Sequence, residues 1–158
     1  MEKFKVHPIG WIRCKEEGTF IELDEKYVPA LKGLDGFSHI NVVWWFSGFD
    51  DEQSRSLLQS EQPYKGAPEI MGIFATRSPL RPNPIALTAS EVIHIDYEKG
   101  MIQITFIDAD DNTPVVDIKP YTPSFDRIEA PGVPDWCSSW PMSSEASADF
   151  DWESVFLF

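Results

Sequence analysis

Along most of this chain, apolar and polar residues alternate in short runs broken by glycine, proline and acidic residues, and few segments carry a helical period. A period of two places successive side chains on opposite faces of a strand. KVHPIGWIR (5–13) and GTFIEL (18–23) predict two short strands joined by the polar segment CKEE. FSHINVVWWF (37–46) is the most apolar run, and its β-branched and aromatic content predicts a strand buried on both faces. It puts His39, Asn41, Val43 and Trp45 on one side, with Ile40, Val42, Trp44 and Phe46 on the other. EIMGIFAT (69–76) predicts another buried strand. In IALTASEVIHIDY (85–97), Ile85, Leu87, Ala89, Ile93 and Ile95 share one face; EKG turns the chain, and MIQITFI (101–107) returns as a hairpin partner. TPVVDI (113–118) supplies a further strand.

Two segments read as helical. DEKYVPALKGL (24–34) predicts a short turn capped by Asp24, limited by Pro29 and ended by Gly33. DDEQSRSLLQ (50–59) predicts a helix with acids at its start, where the helix dipole favours them. Many short strands and few helices point to a mainly β fold, an antiparallel barrel or sandwich; closure into a barrel would hide the strand edges. Residues 1–125 are expected to form the body. Residues 126–158, with Trp136, Trp140, Phe150, Trp152, Phe156 and Phe158 among acids and serines, are expected as an irregular tail packing on it.

A length of 158 residues fits one domain with a proper core. The net charge of −13, from 13 Lys+Arg against 26 Asp+Glu, argues against extensive phosphate neutralisation and so weighs against nucleic acid as a partner. Cys14 and Cys137 are the only cysteines and are expected to be free thiols. No charged-then-apolar leader opens the chain and no apolar run reaches the length of a membrane span, so a soluble, cytoplasmic protein without membrane partners is expected.

The candidate chemistry concentrates in GIFATRSPLRPNPIALT (72–88), which holds two of the five arginines beside Pro79, Pro82 and Pro84. Proline fixes φ and restrains the residue before it, so such a loop loses little entropy on ordering a ligand. Arg77 and Arg81 offer planar forks for a carboxylate or phosphate, with Ser78 and Asn83 as short polar groups. The segment reads either as a preorganised anion-binding loop or as a rigid connection whose arginines pair with the protein's own acids. DADDNTPVVDIKPY (108–121) opens with calcium-loop spacing, but Thr113 stands where the sixth-position glycine belongs and Lys119 where the last ligand belongs. Calcium is therefore rejected; the segment reads as an acidic turn or as acceptors for a small ligand's donors. His39 lies on a hydrophobic strand, and the three histidines lack metal-ligand spacing, so no metal is expected. A GxGxxG loop, a P-loop and a serine-hydrolase elbow are absent.

FATRSPLRPNPIALT, with LKGLDGFSHINVVWWF before it and DNTPVVDIKPY after it, resembles the TsaA-like (TrmO) family from about Pro8 to Tyr121. The family comprises S-adenosylmethionine-dependent methyltransferases acting on threonylcarbamoyl-adenosine beside the tRNA anticodon. The resemblance implies a small antiparallel β-barrel, a homodimer, and methyl-donor sites near the subunit interface. It implies donor binding by His39, Ile40, Arg77, Leu87, Asp111, Asn112, Thr113 and Pro114, and a substrate role for Arg81 and Asn83. The sequence departs from the family pattern in three respects. IRCKEEGTFIEL leaves no room for the PRQ-containing donor segment between the first two strands; Ala86 and Asn112 stand where the pattern has glycine; and the extra C-terminal domain of some members is not expected here. Methyl transfer is an in-line displacement that depends on near-attack positioning, and no residue is identified as a general base. Two rival readings are a methyltransferase of another acceptor, motivated by the charge, and a non-catalytic donor-binding module, motivated by the shortened loop.

Overall fold

The computed structural model describes residues 3–158; Met1 and Glu2, the start of the expected body, lie outside the described residues. Eight strands run in chain order: β1 (Gly10–Lys15), β2 (Gly18–Leu23), β3 (His39–Trp45), β4 (Gln59–Glu61), β5 (Ile70–Gly72), β6 (Ile85–Asp96), β7 (Met101–Ile104) and β8 (Pro114–Pro120). Three short helices are α1 (Glu52–Ser56), α2 (Pro123–Asp126) and α3 (Ser144–Ser147). The chain forms two compact units, one from the residues up to Asp51 with Asn83–Arg127, the other from Glu52–Pro82 with Ile128–Phe158.

In the first unit six strands close into a barrel in the order β1-β2-β7-β6-β3-β8, every neighbour antiparallel. Closure leaves none of the six with an unpaired edge. The inward positions are filled by Ile12, Ile21, Ile40, Val42, Ile102, Ile104 and Val115, all essentially inaccessible. Burying each such side chain contributes about 1.5–3 kcal/mol. Trp44 also points inward, and its indole N–H donates to Thr88 Oγ1 at 3.0 Å, satisfying a polar atom inside the barrel. Ala86 sits directly opposite Trp44 in the β3–β6 register and is itself buried, so a small residue faces the largest one.

β3 differs from the expectation of burial on both faces. Ile40, Val42 and Trp44 are inside, whereas His39, Asn41, Val43 and Trp45 are half-buried on the outer surface. In β6 four of the five residues expected to share a face do so, on the outside, and Ile95 alone departs from them. The strand's inward set is Ala86, Thr88, Ser90 and Val92, while Ile85, Leu87, Ala89 and Ile93 point outward and are exposed. A register shift between Val92 and His94 then reverses the phase and carries Ile95 back toward the core. Periodicity groups residues by face but does not say which face is inside.

The 24–34 segment is a 3₁₀ turn, Glu25–Leu31, and Asp24 at its start makes no side-chain cap bond, against the expected capping role. Gly10 is required by space: a Cβ there would collide with the Glu22 carbonyl oxygen of the paired strand.

In the second unit β4 and β5 form a two-stranded antiparallel sheet. The 69–76 segment is a strand only over Ile70–Gly72 and continues as a 3₁₀ turn; Ile70 and Phe74 are exposed, so only Met71 and Ile73 of its large side chains are buried. Likewise the expected 50–59 helix ends at Ser56, because Gln59–Glu61 pairs with β5 instead. Tyr64 is the hub of this unit. It stacks on Trp136 at 5.5 Å, meets Trp140 edge-on at 5.2 Å, and forms an isolated bridge with Phe156. Trp152 extends the cluster to Trp140, Phe150 and Phe156. The tail's aromatic residues therefore build a core with the segment around Tyr64.

Candidate functional site

The Asp111–Pro114 turn leads into β8 and is held by β1. Asn112 has φ of 64°, the only non-glycine in the left-handed region among the described residues. Its N–H donates to the Ile12 carbonyl at 2.8 Å, and Ile12 N–H donates back to Thr113 O at 2.8 Å. The Asp111 carboxylate accepts from the Cys14 N–H at 2.9 Å and from Asn112 Nδ2 at 2.7 Å. Arg13 donates both to the Asn112 side-chain oxygen and to Glu22. Thr113 is buried, whereas Asp111 and Asn112 are exposed. The Cys14 thiol beside the turn is held above its ordinary pKa, first by burial and then by the charges of Asp111 and Asp110. Both cysteines are free, as expected.

His39 opens β3. Its Nδ1 lies 2.9 Å from Ser38 Oγ, its ring faces Tyr121 at 6.2 Å, and it stands directly across from Glu91 on β6. Tyr121 N–H donates to the His39 carbonyl at 3.0 Å, and nearby Asn41 Nδ2 donates to Asp126 at 2.8 Å. The Ile40 side chain is wholly inside the barrel, and Leu87 is 52% exposed on the outer face of β6.

His39 and the Asp111–Pro114 turn lie at opposite ends of one strand pair. Ile40 pairs with Pro120, whereas Trp44 pairs with Val115. Five strand residues separate those levels on β8, which corresponds to roughly 17 Å.

The arginine–proline segment is ordered by its own hydrogen bonds. Thr76 is buried; its hydroxyl donates to Ile73 O at 2.8 Å and accepts from Ser78 N–H at 3.2 Å. Ser78 Oγ in turn accepts from Leu80 N–H at 3.2 Å. Two successive hydroxyls thus accept from loop N–H groups and close the chain into turns between the prolines. Arg81 is half-buried and directs Nη1 to the carbonyls of Thr76 and Ser78 at 3.4 and 3.3 Å. Arg77 is exposed. Asn83 accepts from Ile85 N–H at 2.7 Å through its backbone. Arg77 and Arg81 belong to the second unit, and the remaining candidates to the barrel unit.

Arg13, Glu22, Thr76 and Tyr121 were not singled out by the sequence as partners of these motifs. The alternation does place Arg13 and Glu22 on outward positions of adjacent strands, but their meeting depends on register. Among the described residues no group of three potential ligands could hold a metal ion. No helix among them is long and apolar enough to cross a membrane.

The sequence model for the tRNA-methyltransferase O N-terminal domain matches residues 2–127. A probable S-adenosyl-L-methionine-binding protein of Pyrococcus horikoshii is 39% identical over 127 residues, 79% of this chain and 88% of that protein. The tRNA (adenine(37)-N6)-methyltransferase of Escherichia coli is 35% identical over 149 residues, 92% of this chain but 60% of the enzyme. The crystal structure of TrmO from Pseudomonas aeruginosa superposes with a TM-score of 0.63 at 29% identity, covering 84% of this chain and 61% of that one. With its closed six-stranded barrel and its arginine–proline and Asp–Asn–Thr–Pro motifs in family order, the chain belongs to the TrmO (TsaA-like) family.

Proposed function

We propose that this protein is an S-adenosylmethionine-dependent methyltransferase whose acceptor is N6 of threonylcarbamoyl-adenosine beside the tRNA anticodon. The observation that carries the reading is the 35% identity to the Escherichia coli tRNA (adenine(37)-N6)-methyltransferase across 92% of the chain. The ordering of both signature motifs by internal hydrogen bonds is consistent with it, because a donor site set before binding avoids the entropy cost of forming one.

The donor contacts assigned are His39, Ile40, Leu87 and Asp111–Pro114 on the barrel and Arg77 on the arginine–proline loop. The Arg77 guanidinium suits the donor's carboxylate. Ile40 contributes by backbone and by packing, since its side chain is internal. Arg81 and Asn83 are assigned to the substrate side of the site; Arg81 Nη1 also braces the loop, and the Asn83 carbonyl helps turn it into β6. The enzyme's work in this reaction is positioning and exclusion of water around the sulfonium methyl.

The working form is a homodimer in the cytoplasm. A single barrel keeps His39 and the Asp111 turn roughly 17 Å apart. The outer face of β6 exposes Ile85, Leu87 and Ile93 as an apolar stripe, and a second copy seated there would bury it. The test of function is transfer of labelled methyl from S-adenosylmethionine to tRNA carrying threonylcarbamoyl-adenosine, with tRNA lacking the modification as control. Incorporation into both alike, or into neither, removes the assigned acceptor.

A second acceptor class is favoured by electrostatics. The net charge is −13, Arg13 is engaged with Glu22 and Asn112, and Arg55 Nε donates to Pro82 O at 2.9 Å. Methyl transfer to a small anionic or neutral acceptor without transfer to tRNA would establish it.

A further inference from the structure

The exposed Asp111 carboxylate ends a chain of side-chain hydrogen bonds that begins on β2. Glu22 accepts from Arg13 Nε, Arg13 Nη1 donates to Asn112 Oδ1, and Asn112 Nδ2 donates to Asp111 Oδ2 at 2.7 Å. The other Asp111 oxygen, Oδ1, accepts from the Cys14 N–H at 2.9 Å. Strand register sets up the first link. Arg13 stands opposite Phe20 in the β1–β2 pair, and Glu22, two residues further along β2, is its diagonal neighbour on the same face. Glu22 thus steadies the half-buried Arg13 side chain on the outside of the barrel.

This chain of bonds has one sense only. A guanidinium only donates and a carboxylate only accepts, so the Asn112 amide turns its oxygen to Arg13 and its nitrogen to Asp111. The flipped amide would set N–H against guanidinium and oxygen against carboxylate. Both end bonds are charge-assisted, the stronger kind. Asn112 is exposed and has a left-handed backbone, so the orientation of its side chain depends on Arg13, 99 positions away in sequence. An ionised carboxylate has about four lone-pair sites. Asp111 uses one on each oxygen, so it is held in a single orientation and keeps acceptor capacity toward solvent.

We infer that Arg13 is a positioning residue for the methyl-donor site: it fixes the Asn112 amide, and through it the Asp111 carboxylate, in the orientation that meets the donor. The inference rests on the proposed assignment of the Asp111–Pro114 turn to donor binding and adds a residue from outside that turn. Arg13 acts through Asn112 and not by contact with the donor, because its fork is directed to Asn112 and Glu22. Preorienting the carboxylate before binding spares the cost of ordering it afterwards.

The experiment compares the full chain with Arg13→Met, which keeps the apolar stem and loses the fork, with Asn112→Gly, and with the double variant. Amide hydrogen exchange reads the turn without any ligand. Arg13→Met is expected to speed exchange of the Asn112 and Cys14 N–H groups at least tenfold and to leave the amides of β3, a strand paired on both sides, unchanged. A merely structural role would speed β3 as well. Calorimetry with S-adenosylmethionine reads the site. Affinity is expected to fall at least fivefold in Arg13→Met and in Asn112→Gly, and no further in the double variant, because both changes remove the same link. Wild-type exchange at Asn112 in Arg13→Met, exchange speeded in β3 alike, unchanged donor affinity, or full additivity in the double variant would overturn the inference. Wild-type protein that binds no donor removes the donor assignment instead; faster exchange confined to Asn112 and Cys14 would still establish that Arg13 orders the turn.

Discussion

The carboxylate of Asp111 holds the backbone N–H of Cys14 at 2.9 Å, so the Asp–Asn–Thr–Pro turn is locked to β1 across 97 positions of sequence. The same carboxylate sets the chemistry of the thiol. Burial is the largest cause of its raised pKa, and the charges of Asp111 and Asp110 add to it. Each negative charge disfavours the thiolate, the nucleophilic form. Asp111→Asn keeps an acceptor for the Cys14 N–H but removes a charge, so the Cys14 pKa falls. Alkylation of Cys14 by iodoacetamide at pH 8 is expected to be faster in that variant, with the difference vanishing at high pH, where the thiol is ionised in both. An equal or slower rate at pH 8 would show that Asp111 does not act on the thiol.

Asn112 combines a left-handed backbone with a side chain bound to Arg13. Asn112→Ala loses both and should cost about 1–2 kcal/mol from the backbone alone. Asn112→Gly keeps the backbone and loses only the side-chain link, so its denaturation midpoint should lie between those of Asn112→Ala and wild type. If the alanine variant is as stable as the glycine variant, the strain account fails.

Gly10 and Gly72 make a paired test of space in a strand. A methyl group at Gly10 would strike the Glu22 carbonyl, whereas at Gly72 it would meet nothing within 4 Å. Gly10→Ala should destabilise by about 1–3 kcal/mol in urea titration, as overpacking does. Gly72→Ala should be neutral or stabilising by up to about 1 kcal/mol. Equal effects at the two sites would remove the close β1–β2 approach as the reason for glycine.

Arg77→Ala is expected to weaken binding of S-adenosylmethionine tenfold or more by calorimetry, about 1.4 kcal/mol. Thr76→Val removes the buried hydroxyl that closes the first turn of the loop without changing side-chain volume greatly. It should cost about 1–3 kcal/mol of stability by leaving backbone groups unpaired. Unchanged donor affinity in Arg77→Ala would take that residue out of the site.

A homodimer of chains with net charge −13 pays electrostatic repulsion, and salt screens it. Self-association measured by sedimentation should therefore tighten as salt rises, while tRNA binding should weaken. Ile85→Glu, on the exposed stripe of β6, should give a monomer. A variant that sediments as wild type would move the interface elsewhere.

Much of the barrel was readable as strands, because alternation marks them and glycine, proline and acidic turns end them. The β6–β7 hairpin and the turn at Gly100 followed from local chemistry, and Asn112, standing where the family pattern has glycine, takes the positive φ that asparagine tolerates. What went astray depended on distant partners. β3 has one half-buried outer face because only the other fits inside a six-stranded barrel. In β6, Ile95 leaves the face it was expected to share with Ile85, Leu87, Ala89 and Ile93, because the pairing with β7 shifts register between Val92 and His94. The 50–59 helix stops early because its end is taken by a sheet with β5.

The candidate site divides in the same way. The residue types of its two motifs, and their stiffness, were written locally by proline spacing and by an asparagine able to take a positive φ. That Arg13 would brace one motif, that Thr76 and Ser78 would close the other, and that His39 would stand at the far end of its strand pair from Asp111 were settled only by register and closure. Sequence by itself determined which segments turn, extend and carry charge, since those depend on neighbours within a few residues. Tertiary structure decided which face is inside and which motifs meet, since both depend on how separate strands pair around a common interior.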